Sequence, residues 1–322
     1  MRKSRCLFLA VAALALLASA AHAQNYPNRP VRVIVPFGAG GVADVTTRIA
    51  ADKLGEKLGQ RFVVENQPGA GGINAARSVL SAAADGYTLL LASNGTAVSV
   101  ALFKSLPFDP VKDFATISLL GAFDLILATK ADSPFRTLQD FVKTARAQPG
   151  KLNVGTINVG STQNLGAELF KTAAEIDFQI VPYRNSPEAL VALLRNDVQL
   201  VMDFHAALRS NLADQKIRAL ATSGPARSQA LPDVPTVQES GVRDYDVTSW
   251  NGLAAPIATP KEVIDTQNKA IRDVLADAEL KKRYLELGIE AKASSPEEMK
   301  TRLQSEIGKW AKVIERANIP KQ

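Results

Sequence analysis

Residues 31–50, VRVIVPFGAGGVADVTTRIA, join a β-rich run to a helical pattern through a glycine-rich turn. Val31 to Val35 is a continuous apolar run, as in buried parallel strands, and apolar residues recur at helical spacing from Ala43. The turn, Gly38-Ala-Gly-Gly-Val-Ala43, fits the loose G-x-G-x-x-[GA] pattern of a dinucleotide site. Such a turn presents backbone N–H groups at the positive end of a helix, where phosphate and carboxylate both bind. The stretch therefore predicts a strand–turn–helix unit with an anion site, without deciding which anion.

The same alternation continues along most of the chain. Apolar or β-branched runs predict strands over 31–35, 61–65, 88–92, 151–156, 178–183, 198–204 and 217–223. Helical spacing predicts helices over 43–58, 73–82, 163–174, 187–196 and 206–214. Alternating strands and helices are typical of an α/β protein with parallel sheets.

The C-terminal part has a mostly helical pattern with two capping signals. Thr259-Pro-Lys-Glu262 and Ser295-Pro-Glu-Glu298 each combine a hydroxyl residue, a proline and a glutamate at the spacing of a capping box. They predict helices over 261–276 and 296–317, and a further helix is expected over 278–287.

Two segments are interpreted as connections between two lobes of the fold. They are LLGAFDLILAT at 119–129 and YDVTSWNGLAA at 245–255. Two crossings imply that the second lobe is inserted into the first, so residues 24–123 and 252–322 form lobe 1 and residues 124–251 form lobe 2. Two α/β lobes joined in this way suit a hinge with a ligand cleft between them.

The first residues predict a secretory signal peptide over 1–23. Basic residues precede an apolar run from Cys6 to Leu17, and Ala21-His-Ala23 has the A-x-A form of a cleavage site. The alternative is a membrane anchor, which needs roughly 20 apolar residues. We therefore expect export to the periplasm with cleavage near Ala23.

Residue counts exclude several classes of function. Beyond the predicted signal peptide the chain has no cysteine and one histidine, His205, so the usual zinc constellations and cysteine nucleophiles are excluded. Cleavage would lower the formal net charge by three, from +6 to +3, and no later segment concentrates basic and aromatic residues. We expect no metal, no cofactor and no nucleic-acid partner.

Further polar loops follow predicted strands, where open α/β sheets bind ligands. They lie at 65–72, 93–96 and 155–164. A dinucleotide is disfavoured because Pro36 interrupts the first loop, Glu65 is only a weak candidate for ribose recognition, and the compartment does not maintain nicotinamide cofactors. A purely structural turn stays open as an alternative.

A series of motifs runs in order along the chain and includes VPFGAGGVAD, VVENQPGAGG, DGYTLLLASNGT, VPYRNSPEAL, LPDVPTVQESG and WNGLAAP. This ordered series resembles the Bug family, the extracytoplasmic receptors of tripartite tricarboxylate transporters. The resemblance implies a type II periplasmic-binding-protein fold, no catalysis, a carboxylate ligand and membrane components of a transporter as partners. We expect a monomer.

The resemblance and the loops together give a set of candidate ligand-binding residues. The set is Phe37, Ala39, Gly40, Gly41, Ser93, Asn94, Gly95, Thr96, Asn158, Gly160, Ser161, Thr162, Gln163, Asn164, Asp203 and Phe204. A carboxylate beside an anion repels it, so Asp203 is expected either to meet an amino or hydroxyl group or to orient a loop.

The sequence departs from the family pattern at Ala97 and Asn164, where histidine is frequent, and at Asn185, where glycine is frequent. The two missing imidazoles suggest a ligand bulkier or flatter than citrate, with an aromatic or dicarboxylic acid as the candidate. Two other functions stay open: a secreted hydrolase that uses Ser161 and His205, and a ligand-sensing partner of a signalling receptor.

Overall fold

The computed structural model describes residues 26–322, so the predicted signal peptide lies outside the described residues. The strands are β1 (Val31–Val35), β2 (Phe62–Asn66), β3 (Thr88–Ser93), β4 (Phe114–Lys130), β5 (Asn153–Ile157), β6 (Gln179–Tyr183), β7 (Leu200–Phe204), β8 (Ile217–Thr222), β9 (Thr248–Pro256) and β10 (Glu290–Ala291). The helices are α1 (Val42–Leu58), α2 (Ile73–Leu80), α3 (Asn94–Leu102), α4 (Leu138–Ala147), α5 (Thr162–Ala173), α6 (Ser186–Arg195), α7 (His205–Ala213), α8 (Lys261–Leu275), α9 (Ala278–Leu285) and α10 (Pro296–Arg316).

The strands are ordered β2-β1-β3-β9-β4-β7-β5-β6, with β8 and β10 also paired to β4. β1 runs parallel to β2 and β3, and β5 runs parallel to β6 and β7. The prediction of parallel strands holds for these six. It is wrong for β8, which pairs antiparallel with β4.

β4 and β9 are long antiparallel strands at the centre of this order. β4 contains the predicted connection at 119–129, and β9 covers all but the first three residues of the one at 245–255. β4 pairs with β9 from Phe114 to Asp124, and with β7 and β8 from Leu125 onward. The strand therefore changes its partners between Asp124 and Leu125. The lobe boundaries themselves stay a prediction.

Apolar side chains fill the space between sheet and helices on both faces. The largest cluster includes Trp250 of β9 and Trp310 of α10, both fully buried. A second cluster packs α1 and α8 against β1, and the buried Tyr284 hydroxyl donates to the Thr46 carbonyl of α1 over 2.8 Å. Within 26–322, no helix combines the length and the apolar character that crossing a membrane requires.

One of the two predicted capping boxes is confirmed. The Ser295 hydroxyl accepts a hydrogen bond from the Glu298 amide, and Glu298 accepts one from the Ser295 amide in return. The box at Thr259 is wrong, because Pro260 rather than Thr259 is the N-cap of α8, although the helix begins at Lys261 as predicted. The Thr259 amide instead closes a turn on the Pro256 carbonyl, and its buried hydroxyl has no partner.

These two hydroxyls give a matched pair for a stability test. Ser295→Ala removes a working cap and should lower the free energy of unfolding by about 1 kcal/mol. Thr259→Ala removes an unpaired hydroxyl, so its cost should be clearly smaller. Urea unfolding of both variants measures the difference, and equal losses would contradict these cap assignments.

Asp124 lies where β4 changes partners, and its carboxylate accepts a hydrogen bond from the Thr248 hydroxyl over 2.9 Å. Burial raises the pKa of Asp124 to about 6 against that hydrogen bond, and the negative charges of Asp246 and Glu290 add to the rise. Since this pKa lies above the unfolded value of about 3.9, the native state loses stability as pH rises from about 4 to 6.

Asp124→Asn should therefore raise the free energy of unfolding at pH 7.5 by about 1–3 kcal/mol and leave it nearly unchanged near pH 4. The asparagine can still accept the Thr248 hydrogen bond, so the comparison isolates the charge. Chemical unfolding at the two pH values measures the effect. An equal gain in the free energy of unfolding at both pH values would show that the native state does not raise the pKa of Asp124.

Candidate functional site

The carboxyl ends of the six parallel strands meet at one cavity of about 1020 Å³. Pro36, Gly69 and Ser93 reach it at the ends of β1, β2 and β3. Asn158, Arg184 and Phe204 reach it at the ends of β5, β6 and β7. Ligands of open α/β sheets bind at this end of the strands. The topology therefore builds one site from two strand groups that are distant in sequence.

Most of the predicted ligand-binding residues line this cavity. They are Phe37, Ala39, Gly40, Gly41, Ser93, Gly95, Thr96, Asn158, Gly160, Ser161, Thr162, Gln163, Asp203 and Phe204. The structure thus brings the four polar loops of the sequence together, although they are spread over residues 38–164.

Asn94 and Asn164 belonged to the predicted set but are absent from the lining. Asn94 is buried and accepts a hydrogen bond from Trp310 Nε1 over 2.7 Å, while its Nδ2 donates to Thr162 Oγ1 over 2.8 Å. Asn164 is also buried, and its Oδ1 accepts the Gly160 amide over 3.1 Å. Both side chains position lining residues from behind the wall.

The glycine-rich turn between β1 and α1 is braced by Asp44. The Gly40 amide donates to Asp44 Oδ2 over 2.9 Å, and Asn66 Nδ2 bridges Asp44 Oδ1 and the Phe37 carbonyl. Arg48 completes the ion pair with Asp44 that its spacing suggests, at 3.0 Å. Burial acts to raise the pKa of Asp44, but the hydrogen bonds from Arg48, Gly40 and Asn66 outweigh it and hold the pKa below its usual value.

The helices that begin at the cavity differ in whether a side chain accepts hydrogen bonds from the backbone N–H groups of their first turns. α3, α5 and α6 are capped by the side chains of Ser93, Ser161 and Asn185. No side chain caps α1, α2 or α7, whose N-cap residues are Gly41, Gly72 and Phe204. Uncapped first turns present free N–H groups and a positive partial charge. The α1 turn in particular offers neutral donors to an anion.

The wall opposite the glycine-rich turn carries a buried carboxyl group, Asp203. Its Oδ1 accepts hydrogen bonds from Gln163 Nε2 over 3.0 Å and from the Phe204 amide over 2.8 Å. Burial raises the pKa of Asp203 despite these hydrogen bonds and one from Ser186. The raised pKa means that burial disfavours the charged form of this carboxyl group.

Apolar residues make up much of the remaining lining. They include Phe37, Leu102, Phe103, Phe123 and Phe204. The rings of Phe123 and Phe204 meet edge to face with centroids 4.9 Å apart. The nearby aromatic residues Trp250 of β9 and Tyr183 of β6 are not among the lining residues, and Trp250 lies in the core.

The argument from the two missing imidazoles needs correction. Ala97 is fully buried in the core and Asn164 lies behind the wall, so neither position widens the cavity. Only Asn185, the third departure from the family pattern, lines it. The room for a bulky ligand follows instead from the cavity volume, which lies at the upper end of the range of small-molecule sites, about 300–1,000 Å³.

Sequence reasoning missed several lining residues. Arg184 and Ser186 follow β6, and Phe123, Ser249 and Asn251 come from β4 and β9. The first two stand at a strand end, the same signal that identified the other loops. The last three lie inside long strands, and only the pairing of β4 with β9 brings them to the cavity.

The contacts of Ser161 and His205 do not support the hydrolase alternative. The Ser161 hydroxyl donates to the Ile157 carbonyl and accepts the Asn164 amide, so it caps α5. His205 faces the segment after α9, where a Cβ on Gly288 would lie 2.4 Å from the His205 Cβ. Burial, and then the charge of Arg209, lower the pKa of this imidazole against a hydrogen bond with the Leu287 backbone.

Glu65, the weak candidate for ribose recognition, is paired with Arg32 over 2.7 Å. Among residues 26–322, no group of three or more His, Cys, Asp and Glu side chains is placed to hold a metal ion.

Comparison with known proteins agrees with this geometry. The family model described as the tripartite tricarboxylate transporter family receptor matches residues 46–319. Protein BugT of Bordetella pertussis is 32% identical over 310 residues, which cover 96% of this chain and 94% of BugT.

Two solved structures from Rhodopseudomonas palustris have the same α/β fold. Rpa4515 with adipate is 32% identical, with a TM-score of 0.80, and the match covers 91% of this chain and 98% of Rpa4515. MatC with bound malate is 31% identical, with a TM-score of 0.75, and the match covers 90% of this chain and 100% of MatC. The two-lobed periplasmic-binding-protein fold implied by the sequence is thus confirmed, and the chain belongs to the Bug family of tripartite tricarboxylate transporter receptors.

Proposed function

We propose that this protein is a periplasmic receptor that captures a carboxylate and delivers it to the membrane components of a tripartite transporter. The observation that carries the proposal is the uncapped first turn of α1, which follows the glycine-rich turn at a cavity large enough for a small acid. A carboxylate at this position accepts hydrogen bonds from the free N–H groups of the helix. Family membership and the acids bound by Rpa4515 and MatC support the same ligand class.

The donors of the proposed site suit reversible capture. Gly40 and Gly41 have no side chain between the backbone and the ligand, and space is open around the Cβ position of Gly40. Backbone amides carry no net charge, so an empty site leaves no unpaired buried ion. Such a site binds an acid tightly enough to collect it and weakly enough to release it to a partner.

The proposed cycle uses two lobes, residues 24–123 with 252–322 and residues 124–251, which close around the ligand. Binding energy shifts the equilibrium toward the closed form, which the membrane components would recognise. The protein is proposed to act as a monomer after its signal peptide is removed near Ala23. The apolar walls and Arg184 at the rim favour an aromatic or dicarboxylic acid.

A panel of acids tests the ligand class. Adipate, malate, benzoate and terephthalate are added to the purified protein, with adipamide as an uncharged counterpart of adipate. At least one acid should raise the melting temperature, since a ligand at 100 times its Kd stabilises the native state by about 2.7 kcal/mol. Adipamide should give no shift, because the α1 turn selects an anion. No shift with any acid, or equal shifts with adipate and adipamide, would contradict the proposal.

Asp44→Ala tests the bracing of the glycine-rich turn. The loss of the Asp44 contacts with Gly40 and Asn66 should leave the turn less ordered and weaken binding of the best acid in the panel by about 5- to 10-fold. Titration calorimetry measures the change. Asp140→Ala is the matched control, since Asp140 also accepts amides at a helix start but lies outside the cavity lining. Equal weakening by both variants would show that affinity merely follows stability.

A further inference from the structure

Asn251 is a buried polar residue whose hydrogen-bonding requirement is unmet. It lies in the middle of β9 with 1% of its surface exposed, and its Nδ2 has no hydrogen-bond partner among residues 26–322. The residue nevertheless lines the large cavity. A buried amide donor without a partner costs free energy, so its presence in a rigid strand calls for an explanation.

The neighbours of Asn251 in the sheet do not supply the missing partner. On one side it is paired with Ser93 of β3, whose hydroxyl already accepts the Gly95 amide as the cap of α3. On the other side it is paired with Gly121 of β4, which has no side chain. The strand pairing that places Asn251 at the cavity therefore also leaves its amide free.

The surroundings of Asn251 indicate the kind of group that completes it. Ser249 lies two residues earlier, so it shares the same face of β9, and it also lines the cavity. Gly41 and Val42, at the uncapped start of α1, line the same cavity. A neutral amide in a cavity with these donors suits an oxygen atom that accepts hydrogen bonds, and it leaves no unpaired charge when the site is empty.

We infer that Asn251 is a ligand-binding residue that donates a hydrogen bond to an oxygen of the bound acid. This inference rests on the proposed function and adds to it a side-chain contact from the central strand. Because β9 is fixed between β3 and β4, the amide holds its place without ligand-induced ordering. Asn251 thus helps the site select acids that place an oxygen atom within reach of its amide.

A matched pair of asparagine variants tests this role with the acid that shifts the wild-type melting temperature most, from adipate, malate, benzoate and terephthalate. Asn251→Ala should weaken binding of that acid by about 10- to 100-fold, as expected for loss of a hydrogen bond to a charged group. Its ligand-free melting temperature should change little, because no protein hydrogen bond is lost.

Asn268→Ala is the control with the opposite expectation. Asn268 Nδ2 donates to the carbonyls of Ile117 and Ser294, both over 2.7 Å, and Asn268 does not line the cavity. Its variant should melt at a lower temperature and keep the wild-type affinity. Wild-type affinity in Asn251→Ala, or equal weakening in both variants, would overturn the inference.

Asn251→Asp keeps the shape of the side chain and adds a negative charge, so it should abolish binding of the same acid. Its folded state is checked by circular dichroism, and this variant decides the matter if the alanine variant fails to fold. A folded Asn251→Asp protein that binds the acid as wild type does would refute the inference while the proposed function stands. If no acid in the panel shifts the wild-type protein, the proposed function fails and the inference fails with it.

Discussion

The free N–H groups at the start of α1 are the constraint on which the binding site depends. A helix leaves its first amides unpaired unless a side chain, water or ligand completes them. Asp44 is placed to cap this helix, but its carboxylate turns to the Gly40 amide and to Arg48 instead. The residue therefore orders the glycine-rich turn and leaves the α1 amides without a side-chain cap, available to the proposed carboxylate.

The long strands β4 and β9 make this site possible. The strands β1, β2 and β3 form one parallel group, and β5, β6 and β7 form the other. β9 pairs with β3 of the first group, β4 pairs with β7 of the second, and β4 and β9 pair with each other. As a result, loops from six strands face one cavity. The hydrogen bonds from Trp310 to Asn94 and from Asn94 to Thr162 add a contact between the starts of α3 and α5. In this conformation, side chains behind the lining thus hold the two walls close together.

Local sequence patterns predicted the fold well because they report on local physics. Continuous apolar runs mark buried strands, and Ser295 with Glu298 marks a helix start that needs nothing from the rest of the chain. Thr259 has the same motif but does not cap its helix, because its amide closes a turn on Pro256 and Pro260 is the N-cap instead. Asn94 was expected at the ligand, but its partner Trp310 lies 216 residues away. Asn251 gives no local signal at all, since only its pairing with Ser93 and Gly121 brings it to the cavity.

A crystal structure of the protein with its best-binding acid tests the central claim most directly. The account predicts a carboxylate oxygen within about 2.7–3.2 Å of backbone nitrogens at the start of α1, among Gly41, Val42 and Ala43. The capped starts of α3, α5 and α6 should make no such contact through their first-turn amides. An acid bound in the cavity with its carboxylate away from α1, and the α1 amides left to water, would contradict the account.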